Sequence, residues 1–324
     1  MSIPDEQIND KNLDKALRPE VWDEYVGQTR IKDNLFILLS AAKKRKSSPE
    51  HILFYGQPGL GKTTLSILVA KELGAQIKIT SGPAIEKVGD LASILSNLQD
   101  GDILFIDEIH RLNKNIEEVL YPAMESGVLD ILVGKGPSAR VLQLNLPEFT
   151  LIAATTQLSK ISAPLRSRFS GGVFKLEYYS LDEIVEILKL SAQKLNVHAD
   201  EDALFEVAKR SRKTPRTANY LLKRVRDYAE VHGKGKIDTF AANETFKLLK
   251  LNEFGLDSND IEYLRTIAYK FSGGPVGLKT LAAAISEEES TIEEVLEPYL
   301  LQEGLIERTP KGRVITQTGK NTLL

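Results

Sequence analysis

The sequence has no cysteine, few other residues of the kind that build metal clusters, and no long apolar run. Its 324 residues include four histidines, two methionines and one tryptophan, and aromatic residues make up 7%. Without cysteine there is no disulfide framework, and four widely spaced histidines do not predict a structural zinc site. No apolar run approaches the roughly 18–20 residues needed to cross a bilayer. Any bound metal is therefore expected to have oxygen ligands, as magnesium does.

Strong charge of either sign is also missing. The formal net charge is −3, so DNA binding would need a local basic patch. The start of the chain has neither the basic residues nor the apolar stretch of a secretory signal, and we expect a cytoplasmic protein. The length predicts two or three domains, each with its own core.

The first half of the chain alternates short apolar runs with helical patterns. This alternation predicts a parallel sheet covered by helices on both faces. The predicted strands are 51–55, 76–80, 102–106 and 149–154, with helices at 28–46 and after Lys62, Asp90 and Asn115. Strand-like runs at 129–133 and 140–146 flank the turn residues Gly134-Lys-Gly-Pro-Ser138 and predict an inserted β-hairpin.

The strand signal fades after Tyr179. Four helical patterns follow, at 181–195, 201–210, 215–231 and 239–251, and predict a small all-helical domain. Three more helices and two terminal strands around a Pro-Lys-Gly turn predict a winged helix. The predicted architecture is an α/β P-loop domain at 1–179, a helical lid at 180–254 and a winged helix at 255–324.

The segment Gly56-Gln-Pro-Gly-Leu-Gly-Lys-Thr63 has the P-loop pattern between a predicted strand and a predicted helix. Its glycines let backbone N–H groups and the helix N-terminus face phosphate oxygens. We expect Lys62 to reach the β- and γ-phosphates and the Thr63 hydroxyl to bind magnesium. The nucleotide ligands predicted from this loop are Gly59, Gly61, Lys62, Thr63 and Thr64. The alternative is a Gly-rich turn that only begins a helix, and the flanking elements favour the P-loop.

Two adjacent carboxylates, Asp107 and Glu108, end the apolar run Ile103-Leu-Phe-Ile106. Such a pair is usually a solvated strand end. Downstream of a P-loop it predicts hydrolysis instead, with Asp107 in the magnesium shell and Glu108 polarising the attacking water.

Further polar residues have a functional and a structural interpretation. Thr155 and Thr156 end a strand where a hydroxyl could sense the γ-phosphate, although threonine there is often structural. Arg166 and Arg168 could clamp a transferring phosphoryl group, also in a neighbouring subunit, or be surface arginines. Arg216 begins a predicted helix, where it contacts phosphate or makes an ordinary ion pair.

Taken together, these segments resemble the bacterial RuvB family, AAA+ ATPases of Holliday junction branch migration. The resemblance covers nearly the whole chain. Its segments are Leu17-Arg-Pro-Glu20, Glu24-Tyr-Val-Gly-Gln28, Thr80-Ser-Gly-Pro-Ala-Ile-Glu-Lys87, Ile106-Asp-Glu-Ile-His-Arg-Leu112, Leu120-Tyr-Pro-Ala-Met-Glu125, Gly134-Lys-Gly-Pro-Ser-Ala-Arg140, Gly273-Gly-Pro-Val-Gly277, Glu293-Glu-Val-Leu-Glu-Pro-Tyr299 and Arg308-Thr-Pro-Lys-Gly-Arg313. Many ATPases share the P-loop and Asp-Glu signatures, whereas the hairpin and the C-terminal segments are specific to this family.

The resemblance implies a hexameric ring that uses ATP and Mg²⁺ to pump double-stranded DNA in recombination and repair. It implies loading by the junction-binding partner RuvA, on which the hairpin 129–146 would dock. Arg168 would be an arginine finger in the adjacent subunit's site, catalytic together with Lys62 and Glu108. The other implied nucleotide contacts are Leu17, Arg18, Glu125, Ser126, Gly127, Thr156, Tyr179 and Arg216. Arg308 and Arg313 on the wing would face DNA phosphates.

Several positions depart from the family pattern. Gln157 stands where arginine is usual and Lys213 where glycine is usual, and the segment 170–172 is one residue longer. These departures concern the finger loop and the lid hinge. Trp22 replaces an aliphatic residue and is expected to pack in the core.

Two other functions share parts of this pattern. A clamp-loader-like AAA+ ATPase has the same phosphate machinery. A nucleotide-switched DNA-binding regulator would use the winged helix to read sequence in the major groove. The third helix of the winged helix, 291–303, carries four glutamates and no lysine or arginine. We therefore expect DNA contact through the wing, with weak sequence preference.

Overall fold

The computed structural model of the protein describes residues 13–133, 140–233 and 235–323. The chain divides into two compact units, Met1–Tyr179 and Ser180–Leu324. Within the described residues, no helix combines the length and the apolar character that a membrane span requires.

A five-stranded parallel sheet forms the centre of the first unit. Its strands lie in the order β2-β3-β6-β1-β7. The strands of the unit are β1 Ile52–Tyr55, β2 Ile77–Ser81, β3 Ile103–Asp107, β4 Val128–Val133, β5 Arg140–Asn145, β6 Thr150–Thr155 and β7 Gly172–Lys175. All strands of the sheet run parallel, so their carboxyl ends meet at one edge and their amino ends at the other. The four predicted strands of the sheet are confirmed.

The edge strand β7 was not predicted. Its residues alternate between partly covered and exposed positions, because only one side of an edge strand is paired and one face is open. Gly171 precedes it and Gly172 begins it, and a Cβ on Gly171 would lie 2.6 Å from the carbonyl oxygen of Glu50. The close approach of two backbones at this point requires glycine.

Helices cover both faces of the sheet, as the alternating pattern predicted. They are α1 Leu13–Ala16, α2 Thr29–Arg45, α3 Lys62–Leu73, α4 Val88–Ser96, α5 Lys114–Ser126 and α6 Ala163–Ser167. Leu53 and Leu104 of the sheet share a core with Leu95 of α4 and Leu120 of α5. The residue after Leu53, Phe54, points to the other face and is also fully buried. Each fully buried side chain of this size stabilises the fold by about 1.5–3 kcal/mol.

The predicted hairpin is formed by β4 and β5, which pair antiparallel from Val128↔Asn145 to Val133↔Arg140. Leu129 at its base is fully buried in the core of the first unit, and Leu144 and Leu146 pack against that core. Leu142 is 50% exposed. The predicted turn, 134–138, lies outside the described residues.

The second unit contains the predicted helical lid and winged helix. Its helices are α7 Leu181–Lys194, α8 Glu201–Lys209, α9 Pro215–His232, α10 Thr239–Leu248, α11 Ser258–Arg265, α12 Leu278–Ile285, α13 Glu289–Thr291, α14 Glu297–Gln302 and α15 Gln317–Asn321. A π-helical turn, Ile292–Leu296, joins α13 and α14 into one continuous helix, which we call the third helix. The wing consists of β8 Ile306–Thr309 and β9 Gly312–Ile315, which pair antiparallel. The short helix α15 was not predicted.

Two positions noted in the sequence find a structural explanation. Lys213 has φ +55, in the left-handed region that glycine adopts without strain, and its ammonium lies 2.6 Å from Glu303. The position thus has the conformation that favours glycine, the residue usual there in the family pattern, and the lysine in its place makes an ion pair to the winged helix. The expectation for Trp22 was wrong. It begins a short 3₁₀ turn and is only partly buried, whereas Tyr25, three residues later, is buried.

Candidate active site

The P-loop follows β1 at the carboxyl edge of the sheet and wraps the N-terminus of α3. Gly56, Gly59 and Gly61 have φ values of +143, +83 and +98, which side chains other than glycine rarely adopt. A Cβ on Gly56 would lie 2.7 Å from the carbonyl oxygen of Leu176. The loop therefore has the glycine-dependent conformation that turns N–H groups toward an anion at a helix N-terminus.

Lys62 lies within this loop. Its ammonium donates hydrogen bonds to the carbonyl oxygens of Gly56 at 2.7 Å and Gln57 at 2.8 Å. The residue is only 8% exposed, so the charge is held at the place where phosphate oxygens are expected. Thr63 and Thr64 follow in the first turn of α3.

Tyr25 packs against Gly61 of the P-loop, and the sequence analysis did not identify it as a site residue. Its hydroxyl oxygen lies 2.8 Å from where a Cβ on Gly61 would be. The Tyr179 hydroxyl lies 3.3 Å from that of Tyr25 and 3.2 Å from the carbonyl oxygen of Leu60. Burial, together with the neighbouring Tyr179, holds the pKa of Tyr25 well above its ordinary value, so the phenol stays neutral. Only the resemblance segment 24–28 could have pointed to Tyr25, and that segment does not disclose its role.

The structure places the other predicted adenine-side residues on the segment before this tyrosine. Leu17 is buried and Arg18 is partly exposed. The carbonyl oxygen of Glu20 accepts a hydrogen bond of 3.1 Å from Lys71 of α3. The segment is thereby anchored on the helix that the P-loop begins.

Asp107 and Glu108 end β3 at the same edge of the sheet as the P-loop. The Thr63 hydroxyl lies 3.4 Å from Oδ2 of Asp107, and Oδ1 accepts the backbone N–H of Glu108 at 2.9 Å. The backbone of Glu108 has φ +49, which is uncommon for a residue other than glycine. Its carboxylate pairs with Arg111 at 3.2 Å. Strained backbone of this kind is concentrated at functional sites. Gly82, a second residue that sequence analysis missed, leaves room for the Glu108 carbonyl, because a Cβ there would lie 2.4 Å from it.

The two threonines at the end of β6 have different environments. Strand β6 lies between β3 and β1, so its end falls between the Asp-Glu pair and the P-loop. Thr155 is fully buried, and its hydroxyl lies 2.9 Å from Nδ1 of His110 and accepts the N–H of Gln157 at 2.9 Å. Thr156, one residue further, is partly exposed. The structural interpretation fits Thr155, and the γ-phosphate sensor remains a prediction for Thr156.

Arg168 and the end of α5 form a second polar group. The Arg168 guanidinium pairs with Glu125 at 3.1 Å, donates to the carbonyl oxygen of Pro164 at 2.7 Å and lies over the Tyr121 ring. The Arg168 side chain is 19% exposed, whereas Arg166 is exposed to solvent. Ser126 and Gly127 directly follow Glu125 and end the helix. Four of the predicted nucleotide contacts are therefore neighbours in space.

His51 locates this polar group at the amino edge of the sheet. Its Nδ1 accepts the N–H of Leu151 at 2.9 Å, its Nε2 lies 3.0 Å from the carbonyl oxygen of Met124, and its own carbonyl accepts the N–H of Gly171 at 2.9 Å. One side chain thus joins the start of β1 and β6 to the end of α5. The four residues of β1 separate His51 from Gly56, and these five residue-to-residue steps of extended chain correspond to about 16 Å. Arg168 and Glu125 accordingly lie at the opposite edge from the P-loop of their own chain.

The predicted arginines of the second unit lie at the expected elements. Arg216 is exposed in the first turn of α9, whose N-cap is Thr214. Arg308 and Arg313 face each other across the wing. Both are bonded to Glu297 of the third helix, and Arg313 is 13% exposed against 43% for Arg308. The expectation that both face phosphates stays a prediction, and the structure gives the two arginines unequal access.

Comparison with known proteins covers almost the entire chain. Residues 17–176 match the Holliday junction DNA helicase RuvB P-loop domain, residues 179–252 the RuvB AAA lid domain and residues 253–324 the RuvB C-terminal winged helix domain. The Holliday junction branch migration complex subunit RuvB of Dehalococcoides mccartyi (strain CBDB1) is 57% identical over 309 residues, which are 95% of this chain and 88% of that protein.

Solved structures agree with these matches. The Thermotoga maritima RuvB Holliday junction branch migration motor is 44% identical, with a TM-score of 0.86 over 95% of this chain and 98% of that one. A mutant of the same Thermotoga protein gives a TM-score of 0.87 at the same coverage. The P-loop domain, the helical lid and the winged helix are thus each matched in sequence, and the whole chain is matched in structure. The chain belongs to the RuvB family of P-loop nucleotide-binding proteins.

Proposed function

We propose that this protein is an ATP-hydrolysing DNA motor that drives branch migration of Holliday junctions in recombination and repair. The names of the relatives describe that activity for them. The site in this chain supports it, since a P-loop, a strand-end Asp-Glu pair and Thr156 share one edge of the sheet.

The residues present fit ATP and Mg²⁺. The P-loop glycines and Lys62 form a cradle for phosphate, and Thr63 and Asp107 offer two neighbouring oxygens. Among the described residues no group of three or more His, Asp or Glu side chains is arranged to hold a metal. Magnesium bound by Thr63 and Asp107 would therefore take its other ligands from phosphate and water, as it commonly does. It would neutralise charge on the phosphates, while Glu108 would orient and polarise the attacking water.

The observation that carries the quaternary proposal is the separation of the two edges. His51, which contacts the residue before Glu125, lies about 16 Å from the P-loop along β1. We infer that Arg168 and Glu125, at the same edge of the sheet as His51, do not reach nucleotide bound by the same chain. If they contact nucleotide, it is that of a neighbour. Contacts that run from one edge to the opposite edge are head-to-tail and generate a ring when the rotation closes. We propose the hexamer that the family resemblance implies, with Arg168 completing the adjacent site.

The remaining roles follow the domains. The hairpin 129–146 docks on RuvA, consistent with a base held in the core and an exposed Leu142. The wing contacts double-stranded DNA, and Arg216 of the lid, together with Leu17, Arg18 and Tyr179, contacts the nucleotide. We propose domain boundaries at 179/180 and 254/255 and a location in the cytoplasm, where bacterial DNA is found.

The decisive experiment measures ATP turnover and branch migration on synthetic four-way junctions, with and without RuvA. We expect turnover that depends on the junction, and product strands that appear only when RuvA and ATP are present. Glu108→Gln is the control, because it removes the base that polarises water and keeps the size of the side chain. Turnover that occurs without any strand movement would contradict the motor.

The same experiment tests the two other candidate functions. A clamp-loader-like ATPase would hydrolyse ATP on DNA without moving the junction. A nucleotide-switched regulator would protect a defined operator in footprinting. The third helix is a poor reader of the major groove, since its exposed glutamates, Glu289, Glu293 and Glu294, give it negative charge, and we expect no such operator.

A further inference from the structure

The wing arginines are held by two carboxylates of the third helix, Glu297 and Glu293. Glu297 has no exposed surface. Its Oε1 accepts hydrogen bonds from the Tyr263 hydroxyl at 2.6 Å and from Nε of Arg313 at 2.7 Å, and its Oε2 accepts from Nε of Arg308 at 2.7 Å. Burial alone would raise the pKa of Glu297, but the donors outweigh it and the pKa lies below its ordinary value. Glu297 is therefore a charged, fully bonded anchor inside the domain.

Glu293 differs from Glu297 in its access to solvent. Its carboxylate lies one turn earlier in the third helix and is 45% exposed. Oε1 lies 3.0 Å from Nη2 of Arg313 and 3.7 Å from Nη2 of Arg308. Exposed ion pairs contribute little net stability, because water screens them and solvates both partners when they separate. The hydrogen bond between Glu293 and Arg313 is consequently the contact in this cluster that another anion can replace.

The charges of the cluster balance. Arg308 and Arg313 stand opposite each other across the two strands of the wing, where like charges repel. The two positive charges are matched by the two negative charges of Glu293 and Glu297. A phosphate approaching the wing would add a third anion to an already neutral group. Binding is favoured only if one carboxylate withdraws, and Glu297 is buried.

We propose that Glu293 occupies the place of a DNA phosphate on the wing and is displaced when DNA binds. Its hydrogen bond to Arg313 breaks, Arg313 stays bonded to Glu297, and a phosphate in the vacated position contacts Arg308, whose Nη2 lies 3.7 Å from Oε1 of Glu293. This inference rests on the proposed DNA contact of the wing and specifies its chemistry. Arg308 is suited to the role because its side chain is 43% exposed, against 13% for Arg313. Glu293 thereby limits DNA affinity, which suits a protein that must release each phosphate to move along the duplex.

The test compares Glu293→Gln with Glu289→Gln in the full-length protein. Both variants remove one negative charge from the third helix. Glu289 is exposed and, within the described part of the chain, forms no ion pair with either arginine. Affinity for a fluorescent DNA duplex is measured by anisotropy at several salt concentrations, and circular dichroism monitors folding. We expect Glu293→Gln to bind about fivefold tighter, with a salt slope steeper by about one. Glu289→Gln should change affinity less than about twofold.

A double substitution identifies the arginine involved. If Glu293 competes for Arg308, the gain from Glu293→Gln should disappear in an Arg308→Gln background. Equal effects of Glu293→Gln and Glu289→Gln, or a gain that persists without Arg308, would overturn the inference while leaving DNA binding intact. A wild-type protein that binds no duplex at low salt would instead refute the proposed function, and the inference with it.

Discussion

The two edges of the parallel sheet carry polar residues of different character. At the carboxyl edge, the P-loop, Asp107, Glu108 and Thr156 present partly exposed groups around one space. At the amino edge, Arg168 is packed on Tyr121 and bonded to Glu125, and His51 ties the edge together through neutral hydrogen bonds. One edge is arranged to receive a ligand, whereas the other is arranged to hold an arginine in place. The difference fits the proposal that the two edges are halves of different sites.

The largest expected effect concerns the receiving edge. Lys62→Ala should lose ATP binding and with it all turnover, because charged hydrogen bonds to phosphate are among the strong ones. Titration with a fluorescent ATP analogue measures the affinity. Lys44→Ala, at an exposed lysine of α2, is the control and should bind normally. Comparable affinity of the Lys62 and Lys44 variants would remove the distinction between the two edges.

The second prediction concerns the holding edge. Arg168→Ala should bind ATP normally, but its turnover should fall by about a thousandfold or more, the range found for arginine fingers. Arg166→Ala, two residues away and exposed, should remain active. Both ATP affinity and steady-state hydrolysis are measured on the same preparations.

Mixing two inactive proteins then tests whether the halves meet between chains. Arg168→Ala subunits keep Glu108, and Glu108→Gln subunits keep Arg168, so a head-to-tail interface between them contains one complete site. An equal mixture should regain up to about a quarter of wild-type turnover, since about one interface in four is complete. Continued inactivity of a mixture that forms mixed rings would contradict action between chains.

The third prediction separates the two threonines of the carboxyl edge. Thr156→Val should lower turnover about tenfold, the value of one lost hydrogen bond to a charged group, and leave stability unchanged. Thr155→Val should instead lower the free energy of unfolding by about 1–3 kcal/mol, because it leaves buried partners unsatisfied. Thermal unfolding and ATPase rates are compared for both variants. The assignment fails if Thr155→Val affects turnover alone.

The smallest expected effect comes from His51. Burial lowers the pKa of His51 below its ordinary value of 6.5, so below that pH the unfolded chain binds more protons than the folded one. Stability present above pH 6.5 is therefore lost as the pH falls, by at most about 1.4 kcal/mol per pH unit. Urea unfolding of the wild type and of His51→Gln at pH 5.5 and 7.5 measures this contribution. His198→Gln, at an exposed histidine, is the control. If the free energy of unfolding depended equally on pH in the His51 and His198 variants, a stabilising role of neutral His51 would be contradicted.

Local patterns predicted much of the fold and the receiving edge. The strands of the sheet, the hairpin and the helices of the lid follow from apolar periodicity and turn residues, because those elements bury one face each. The P-loop and the Asp-Glu pair are each a run of neighbouring residues in the sequence, so the chemistry of each can be recognised without coordinates. Strand β7 escaped prediction, since a half-exposed edge strand of four residues has no distinctive pattern.

Other features depend on residues that are distant in sequence. Tyr25, near the start of the first unit in sequence, contacts Gly61 of the P-loop and Tyr179 at the end of the unit. No local pattern marks such a residue. The glutamates of the third helix looked like a surface unsuited to DNA. In the structure Glu297 is buried and binds both wing arginines, because the wing folds back over the helix.

The sequence by itself determined that the chain has a P-loop nucleotide site, the order of its domains and its family, since each depends on contiguous motifs. Only the tertiary structure decided which predicted residues belong to the same site. It separates Arg168 from Lys62 by the length of a strand, brings it beside Glu125 and makes Arg308 more accessible than Arg313. The reason is physical: periodicity records which face of an element is buried, but not which elements pack together. The edge of the sheet at which a side chain lies is decided by that packing.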